Sequence, residues 1–398
     1  MQKTPIASRK HVSLFGNVNA GKSSLFNAIL GQDAAIVSSQ PGTTTDPVVK
    51  AMELIPFGPI ALVDTAGFED ISQVGKQRMK RTNDILNRTD LAIYVVDASA
   101  FDEDNHKKTV RLFKEKSIPY ILVFTKWDMV PEIEKSQLKS KYKDSIFVDS
   151  SNENDVSLLK RKIAQELEKL QDEDETIVGN LLEENSTVIL VVPIDSAAPK
   201  GRLILPQVQL IRDCLDHNIK CFVTKESELP EALKELKKID LVVTDSQIFK
   251  LVSTIVPKEI PLTSFSMLLA RQKGDIGLLI EGAEKIHSLE NNSKILMAEA
   301  CTHNHTHEDI GRVKIPALMK KYTGKELSFD YCVGYDFPDN LEEYHMVVHC
   351  GGCMLNKKAV TNRLAICKDK NIPVTNYGVL LAHLNGILPR CSEIFNKA

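Results

Sequence analysis

The stretch Gly16-Asn17-Val18-Asn19-Ala20-Gly21-Lys22-Ser23-Ser24 narrows the possible folds of this chain more than any other, because it matches Gly-x-x-x-x-Gly-Lys-Ser. An apolar run, His11–Phe15, leads into it and reads as a buried strand. Lys22–Leu30 leads out with Leu25, Ile29 and Leu30 on a helical spacing, and Gly31 ends that helix. Strand, glycine loop and helix in this order make a phosphate cradle. Backbone N–H groups close around phosphate oxygens, and the helix N-terminus adds partial positive charge. Lys22 is placed to reach the outer phosphates, and the Ser23 hydroxyl to ligate magnesium.

Around that cradle the first segment alternates short apolar runs with helical patterns. Ile60–Val63, Leu91–Val96, Tyr120–Phe124 and Ile146–Val148 have the Val/Ile/Leu character of strands buried on both faces. Val74–Leu86 and Val156–Leu170 read as helices, and Met52–Val63 as a hairpin turning at Pro56–Pro59. The pattern predicts an α/β fold with a parallel sheet covered on both faces. Further polar motifs sit at strand ends. Asp64-Thr65-Ala66-Gly67 offers a carboxylate for magnesium and the Gly67 N–H for a γ-phosphate. Pro41–Asp46 offers Thr44 to the same ion. Thr125-Lys126-Trp127-Asp128 offers a carboxylate to the two N–H groups of guanine and a lysine stem to cover the ring. Ser150-Ser151 offers backbone N–H groups to the guanine oxygen.

These motifs, in this order, resemble the Ras-like GTPases, and within them the TrmE–Era–EngA group, which shares Asn-Ala-Gly-Lys-Ser-Ser and the Gly42–Asp46 pattern. The resemblance covers roughly the first 170 residues, an ordinary domain size. It implies a site for GTP, GDP and magnesium built from Gly16, Asn17, Ala20, Gly21, Lys22, Ser23, Ser24, Thr44, Asp64, Gly67, Thr125, Lys126, Asp128, Ser150 and Ser151. It also implies that Asn19 helps hold potassium, a role weighed equally with that of a loop-stabilising amide. Two departures stand out: Thr125 replaces the usual asparagine, and Phe68 occupies the place of the water-orienting glutamine. The first is expected to weaken nucleotide affinity, and the second to make hydrolysis slow unless something substitutes for the glutamine.

Downstream the chemistry changes. The acidic run Gln171–Glu175 marks a boundary, and the division expected is residues 1–172, 173–266 and 267–398. The middle segment again reads as α/β. Its strands are Thr187–Ile194, Lys220–Val223, Leu241–Val243 and Ile260–Ser264; its helices are Leu205–Leu215, Leu229–Leu236 and Ile248–Val256. A sheet this small completes itself by pairing with a second copy, so a homodimer is expected. In the last segment Leu268–Leu289 reads as an interrupted helix, Lys294–Ala298 and Tyr344–Val348 as strands, Ile310–Lys321 and Lys357–Lys370 as helices, and Pro373–Asn376 as a last strand.

All eight cysteines lie at or after Cys214, and seven of the ten histidines lie after residue 280. No signal core opens the chain and no apolar run could span a bilayer, so a cytoplasmic chain without a membrane is expected; clustered Cys and His there read as metal or redox chemistry. A net charge of −3 gives no support to nucleic-acid binding by bulk electrostatics. Cys301 and the pair Cys350/Cys353 each follow a strand, and neighbouring strands would bring them to one crevice. Three thiolates suit a 4Fe–4S cluster with one open iron. Zinc on Cys301, His303, Cys350 and Cys353, or with His349, fits the spacing equally well. A redox Cys-x-x-Cys is a third reading. Cys214 and Cys221 lack ligand spacing and read as core residues, while Cys332, Cys367 and Cys391 lie outside the motif and read as core or surface thiols.

Cys301-x-His303, then 45 residues, then His349-Cys350-x-x-Cys353, resembles the signature of the HydF family, the GTPases of [FeFe]-hydrogenase maturation. The resemblance spans the whole chain. It implies a dimeric scaffold with a middle α/β dimerisation domain and a C-terminal α/β iron–sulfur domain. That scaffold carries a precursor of the di-iron subcluster, delivers it to apo-hydrogenase and works with the radical-SAM maturases HydE and HydG. The expected fourth ligand is exchangeable: an oxygen donor such as Glu308, or water, with His303 and His349 as the competing candidates. The alternative is a TrmE/Era-like GTPase of RNA modification or ribosome assembly with a structural zinc. A zinc-binding interaction module with a vestigial nucleotide site is opposed by intact Lys22, Ser23, Asp64 and Asp128.

Overall fold

The computed structural model describes residues 5–31, 47–65, 82–170, 176–194, 201, 203–300, 310–338 and 340–397. Thr44, Gly67, Phe68, Cys301, His303 and Glu308 lie outside the described residues. By packing, the chain divides into two compact units, Met1–Gln171 and Asp172–Ala398.

The first unit is built on one six-stranded sheet, ordered β2-β3-β1-β4-β5-β6. The strands are β1 (Lys10–Phe15), β2 (Val48–Leu54), β3 (Gly58–Asp64), β4 (Leu91–Asp97), β5 (Tyr120–Thr125) and β6 (Ile146–Phe147). All pairs are parallel except β2–β3, the expected hairpin, with Leu54 opposite Gly58. Val12, Leu14, Ile93, Val95 and Val123 pack with Leu25, Ile29 and Leu159 beneath one face, while Phe15, Phe113 and Phe124 fill the other. Helix Lys22–Leu30 has the expected bounds and ends at Gly31 in a left-handed conformation. Helices Glu103–Glu115, Glu132–Lys141 and Glu153–Glu168 complete the layers; of the expected Val74–Leu86 helix, residues 82–86 are described and helical.

The second unit holds two four-stranded parallel sheets. The first is ordered β10-β9-β7-β8, from β7 (Thr187–Val191), β8 (Lys220–Thr224), β9 (Leu241–Thr244) and β10 (Leu262–Ser264). The second is ordered β12-β11-β13-β14, from β11 (Ser293–Glu299), β12 (Leu327–Val333), β13 (Met346–His349) and β14 (Val374–Asn376). Read from the other edge, the second order repeats the first strand for strand. Sequence echoes topology: Pro261-Leu-Thr-Ser-Phe-Ser-Met-Leu-Leu-Ala270 closes one sheet and Pro373-Val-Thr-Asn-Tyr-Gly-Val-Leu-Leu-Ala382 the other. In both, the last strand runs straight into a helix capped by its own final residue. Ser264 Oγ accepts from the Met267 N–H at 3.3 Å and Asn376 Oδ1 from the Val379 N–H at 2.8 Å. The matching positions Ser266 and Gly378 meet, and a Cβ on Gly378 would lie 2.0 Å from Ser266 Oγ. One apolar core runs through both sheets, with Val242, Val252 and Met267 packed with Leu296, Val347 and Leu364, and makes the two a single packed unit.

Three sequence readings are refined. The Leu268–Leu289 helix is two helices, Phe265–Lys273 and Ile276–Glu284, broken at Gly274. Ile310–Lys321 opens with a π-turn over Ile310–Lys314 before helix Ile315–Thr323. Strand β12 was not anticipated.

Candidate functional site

Two constellations stand out, one in each unit. In the first, β1 delivers the glycine loop at the carboxyl edge of the sheet. Gly16 is needed for contact: a Cβ there would sit 2.1 Å from the Val95 carbonyl oxygen. Lys22 is buried, and its Nζ donates to the carbonyls of Gly16 at 3.0 Å and Asn17 at 2.6 Å. Burial lowers its pKa to about 8 against the opposing pull of Asp64. Ser23 Oγ donates to Asp64 Oδ2 at 2.7 Å, and Asp64 Oδ1 is buried with no partner among the described residues. Burial raises the Asp64 pKa, with the Ser23 hydrogen bond and Lys22 opposing. An orphaned carboxylate oxygen beside a hydroxyl is a donor set that suits a hard divalent cation, so the residues present fit magnesium. Ser24 is half-buried in the first helical turn, and Asn19 is exposed with φ 62.

The base-recognition motif is tied to this loop. Thr125 Oγ1 donates to the Ala20 carbonyl at 2.6 Å and has the Val96 carbonyl at 3.1 Å. The residue that replaces asparagine therefore tethers the phosphate loop to β5. Lys126 Nζ pairs with Asp97 Oδ2 at 2.5 Å. That pair and the Ser99 hydroxyl and N–H hold the Asp97 pKa down against the opposing effect of its partial burial. Asp128 is exposed on the turn Trp127–Met129. Ser150 and Ser151 lie in the turn after β6, where the Ser151 N–H and hydroxyl donate to Asp149 Oδ1 at 2.9 and 2.7 Å. Asn105 Nδ2 donates to Asn17 Oδ1 at 3.0 Å, a contact from helix Glu103–Glu115 that motif reading did not anticipate.

In the second unit β11 and β13 are neighbours, with Ala298 opposite His349. The pairing continues past the strand ends. The Cys350 N–H donates to the Ala298 carbonyl at 2.9 Å, and Cys350 Sγ accepts the Ala300 N–H at 3.0 Å and the Gly352 N–H at 3.4 Å. Cys350 thus lies against the residue before Cys301. Cys350 and Cys353 are both half-buried. Backbone N–H groups directed at a sulfur suit a metal-bound thiolate, so Cys350 and Cys353 fit part of an iron–sulfur ligand set.

His349 is buried beside them with both ring nitrogens engaged. Nδ1 donates to the Cys350 carbonyl at 3.0 Å, so Nε2 is the acceptor for Arg363 Nη1 at 3.1 Å. Burial first, then the Arg363 charge, lowers its pKa to about 4. Arg363 also donates to the Gly334 carbonyl at 2.7 Å and stacks 4.9 Å from the Phe337 ring centroid. Lys273 Nζ donates to the carbonyls of Gly352 and Leu355, each at 2.9 Å. Glu299 at the end of β11 pairs with Arg312 at 2.9 Å. Motif reading missed Lys273 and Arg363. The available signal was a cation on an apolar helical stripe: Lys273 follows Leu269 by four residues, and Arg363 follows Ala359 by four. Burial raises the pKa of Cys332 to about 11 and of Cys367 and Cys391 to about 12, which fits inert thiols. Cys214 is buried and is pushed upward first by its hydrogen bond with Cys221.

Three stretches of the chain match family models. Residues 11–126 match the 50S ribosome-binding GTPase, 177–274 the hydrogen maturase F dimerization domain and 277–394 the hydrogen maturase F tetramerization domain. The last two together cover more than half of the chain. Among curated proteins, GTPase Der of Kosmotoga olearia is 35% identical over 146 residues, 35% of this chain and 33% of the relative. The tRNA modification GTPase MnmE of Mycoplasma mycoides is 31% identical over 172 residues, 42% of this chain and 37% of the relative. The chain thus spans between a third and two fifths of those relatives' length. Among solved structures, Aquifex aeolicus Era bound to GDP and aluminium fluoride aligns over 58% of this chain and 99% of its own, at 15% identity and a TM-score of 0.36. The G domain of the T. maritima FeoB iron transporter aligns over 39% and 98%, at 27% identity and a TM-score of 0.31. Among the described residues, no helix is long and apolar enough to cross a membrane.

Proposed function

Because this chain belongs to the hydrogen maturase F family, we propose that it is a GTP-hydrolysing scaffold that holds a di-iron subcluster precursor on a 4Fe–4S cluster and delivers it to apo-[FeFe]-hydrogenase. HydE and HydG supply and load that precursor in this reading. The observation that carries it is the seat of Cys350: its sulfur takes the Ala300 N–H at 3.0 Å, one residue before Cys301. Cys301, Cys350 and Cys353 hold the cluster. Both nitrogens of His349 are committed to Cys350 and Arg363, which supports an oxygen donor such as Glu308, or water, as the exchangeable ligand over His349; His303 is the other competitor. The cluster, when bound, supplies an iron with one position open to cargo.

At the other site Lys22 exchanges the carbonyls of Gly16 and Asn17 for the outer phosphate oxygens of GTP. Ser23, Thr44 and Asp64 hold magnesium, which neutralises phosphate charge, and the Gly67 N–H meets the γ-phosphate. Asp128 and Lys126 select guanine, Ser150 and Ser151 face its oxygen, and Asn19 serves potassium. With Phe68 in the glutamine's place, turnover is slow and regulatory. GTP state times the use of the cargo site.

Self-association fits the second unit. Strand β8 is a sheet edge whose exposed positions after Lys220 are apolar, Phe222 37% and Val223 44% exposed. The matching edge β12 carries Asp330, paired with Lys294 at 3.3 Å. Charge guards an edge against strand addition; an apolar edge invites it. We therefore assign β8 to the dimer.

One anaerobic preparation tests the function. It should carry iron and sulfide at about four each per chain and hydrolyse GTP, and Lys22→Ala should abolish hydrolysis while leaving iron in place. One zinc with no sulfide would overturn the scaffold reading in favour of a GTPase with a structural metal.

A further inference from the structure

Lys273 is the last residue of helix Phe265–Lys273 and is 6% exposed. It belongs to the stretch matched by the dimerization model, yet both of its side-chain hydrogen bonds reach the neighbouring module: Nζ donates to Gly352 and Leu355 carbonyls at 2.9 Å each. The Gly352 carbonyl lies within the Cys350–Cys353 turn and the Leu355 carbonyl just past it. A buried ammonium without a counter-charge is costly. Among the described residues no carboxylate pairs with Lys273; the acidic groups that face it are the Cys353 and Cys350 thiols. A recess beside it is lined by Leu269, His349, Cys350, Gly352, Val360 and Lys273 itself. In the second copy of the repeat, the place of Lys273 before its glycine is taken by Asn385, so the cation occurs only on the side that meets the thiols.

We propose that Lys273 is a positioning and charge-compensating residue for the anionic metal group held by Cys350 and Cys353, reaching it from the dimerisation module. The proposal rests on the iron–sulfur reading of those cysteines. Two hydrogen bonds fix the turn so that the Gly352 N–H stays on Cys350 Sγ. The ammonium offsets the negative charge that three thiolates bring to the cluster. It favours the reduced, more negative state and so raises the reduction potential.

The test uses the full chain, reconstituted anaerobically, as parent, Lys273→Arg, Lys273→Gln and Lys273→Met. An EPR-monitored redox titration gives the cluster potential, and a chelator challenge gives the rate of iron loss. The potential should fall in the Gln and Met variants and stay near the parent's in Arg. Iron loss from Met should be about tenfold faster or more, as for other residues that support metal ligands. An unchanged potential in Gln at full iron content would overturn the proposal, as would an Arg variant as impaired as Met. Should Met fail to fold by circular dichroism, Gln, which keeps amide donors without charge, decides. The underlying reading fails separately: parent protein without iron and sulfide, or Cys350→Ser and Cys353→Ser variants that keep their full complement, would remove it whatever Lys273 does.

Discussion

Thr125 shows how a departure from a motif can preserve its mechanical task. The sequence suggested a weakened guanine site, since a hydroxyl stands where an amide is usual. In the structure that hydroxyl holds the Ala20 carbonyl at 2.6 Å and is buried. Thr125→Val, which keeps shape and removes the donor, should cost about 1–2 kcal/mol. If that cost falls on the nucleotide-bound state, the Kd for GDP rises about tenfold. Titration with a fluorescent nucleotide checks this, and an unchanged Kd would show the tether to be incidental. His11 makes a second residue-scale case. It lies buried in β1, where burial, then the Arg88 charge, lowers its pKa from 6.5 to about 4 against the hydrogen bond to Ile6. The unfolded chain therefore takes the proton first as pH falls. The His11 contribution is intact above pH 6.5 and is lost on the way down to about 4, by about 3 kcal/mol at most. His11→Leu should flatten the acid side of a melting-temperature profile between pH 7 and 4. A profile parallel to the parent's would contradict this. Neither role could be read from the sequence, because partners distant in the chain create both.

At the scale of elements, legibility followed burial. Strands β4, β5 and β7 are buried over most of their length and read as apolar runs. The edge strand β12 escaped notice because Ser328, Asp330 and half-exposed neighbours interrupt its run. Helix Glu103–Glu115 buries only Thr109 and Phe113, too little to make an apolar stripe. The meeting of Cys350 with the end of β11 was legible, because a parallel sheet gathers strand ends at one edge. Lys273 and Arg363 were harder to see: each sits among apolar residues and looks like a flaw in the stripe until its partners are known. The edge strand β8 carries its own prediction. Val223→Lys should place a charge on the exposed edge and shift the protein from dimer toward monomer in light scattering at micromolar concentration, with the melting temperature nearly unchanged. A full dimer after that change would move the interface elsewhere.

At the scale of the whole chain, the second unit is one architecture used twice. The repetition was hidden from linear reading because clear identity is confined to short stretches such as Pro261–Ala270 and Pro373–Ala382, while the connections between strands differ in length. The copies have diverged in sequence. One keeps an apolar edge and an acidic residue, Asp245, after its third strand; the other keeps a charged edge and places Cys350 there. The reach of Lys273 across the seam between them bears on any attempt at dissection. A fragment beginning at residue 277, where the tetramerization match starts, would contain Cys301, Cys350 and Cys353. It would also leave the carbonyls of Gly352 and Leu355 without their cation and uncover the wall made by Leu269 and Ala270. Such a fragment would bind metal, if at all, in a wetter and more negative setting, and its spectra would describe a different site from that of the intact chain.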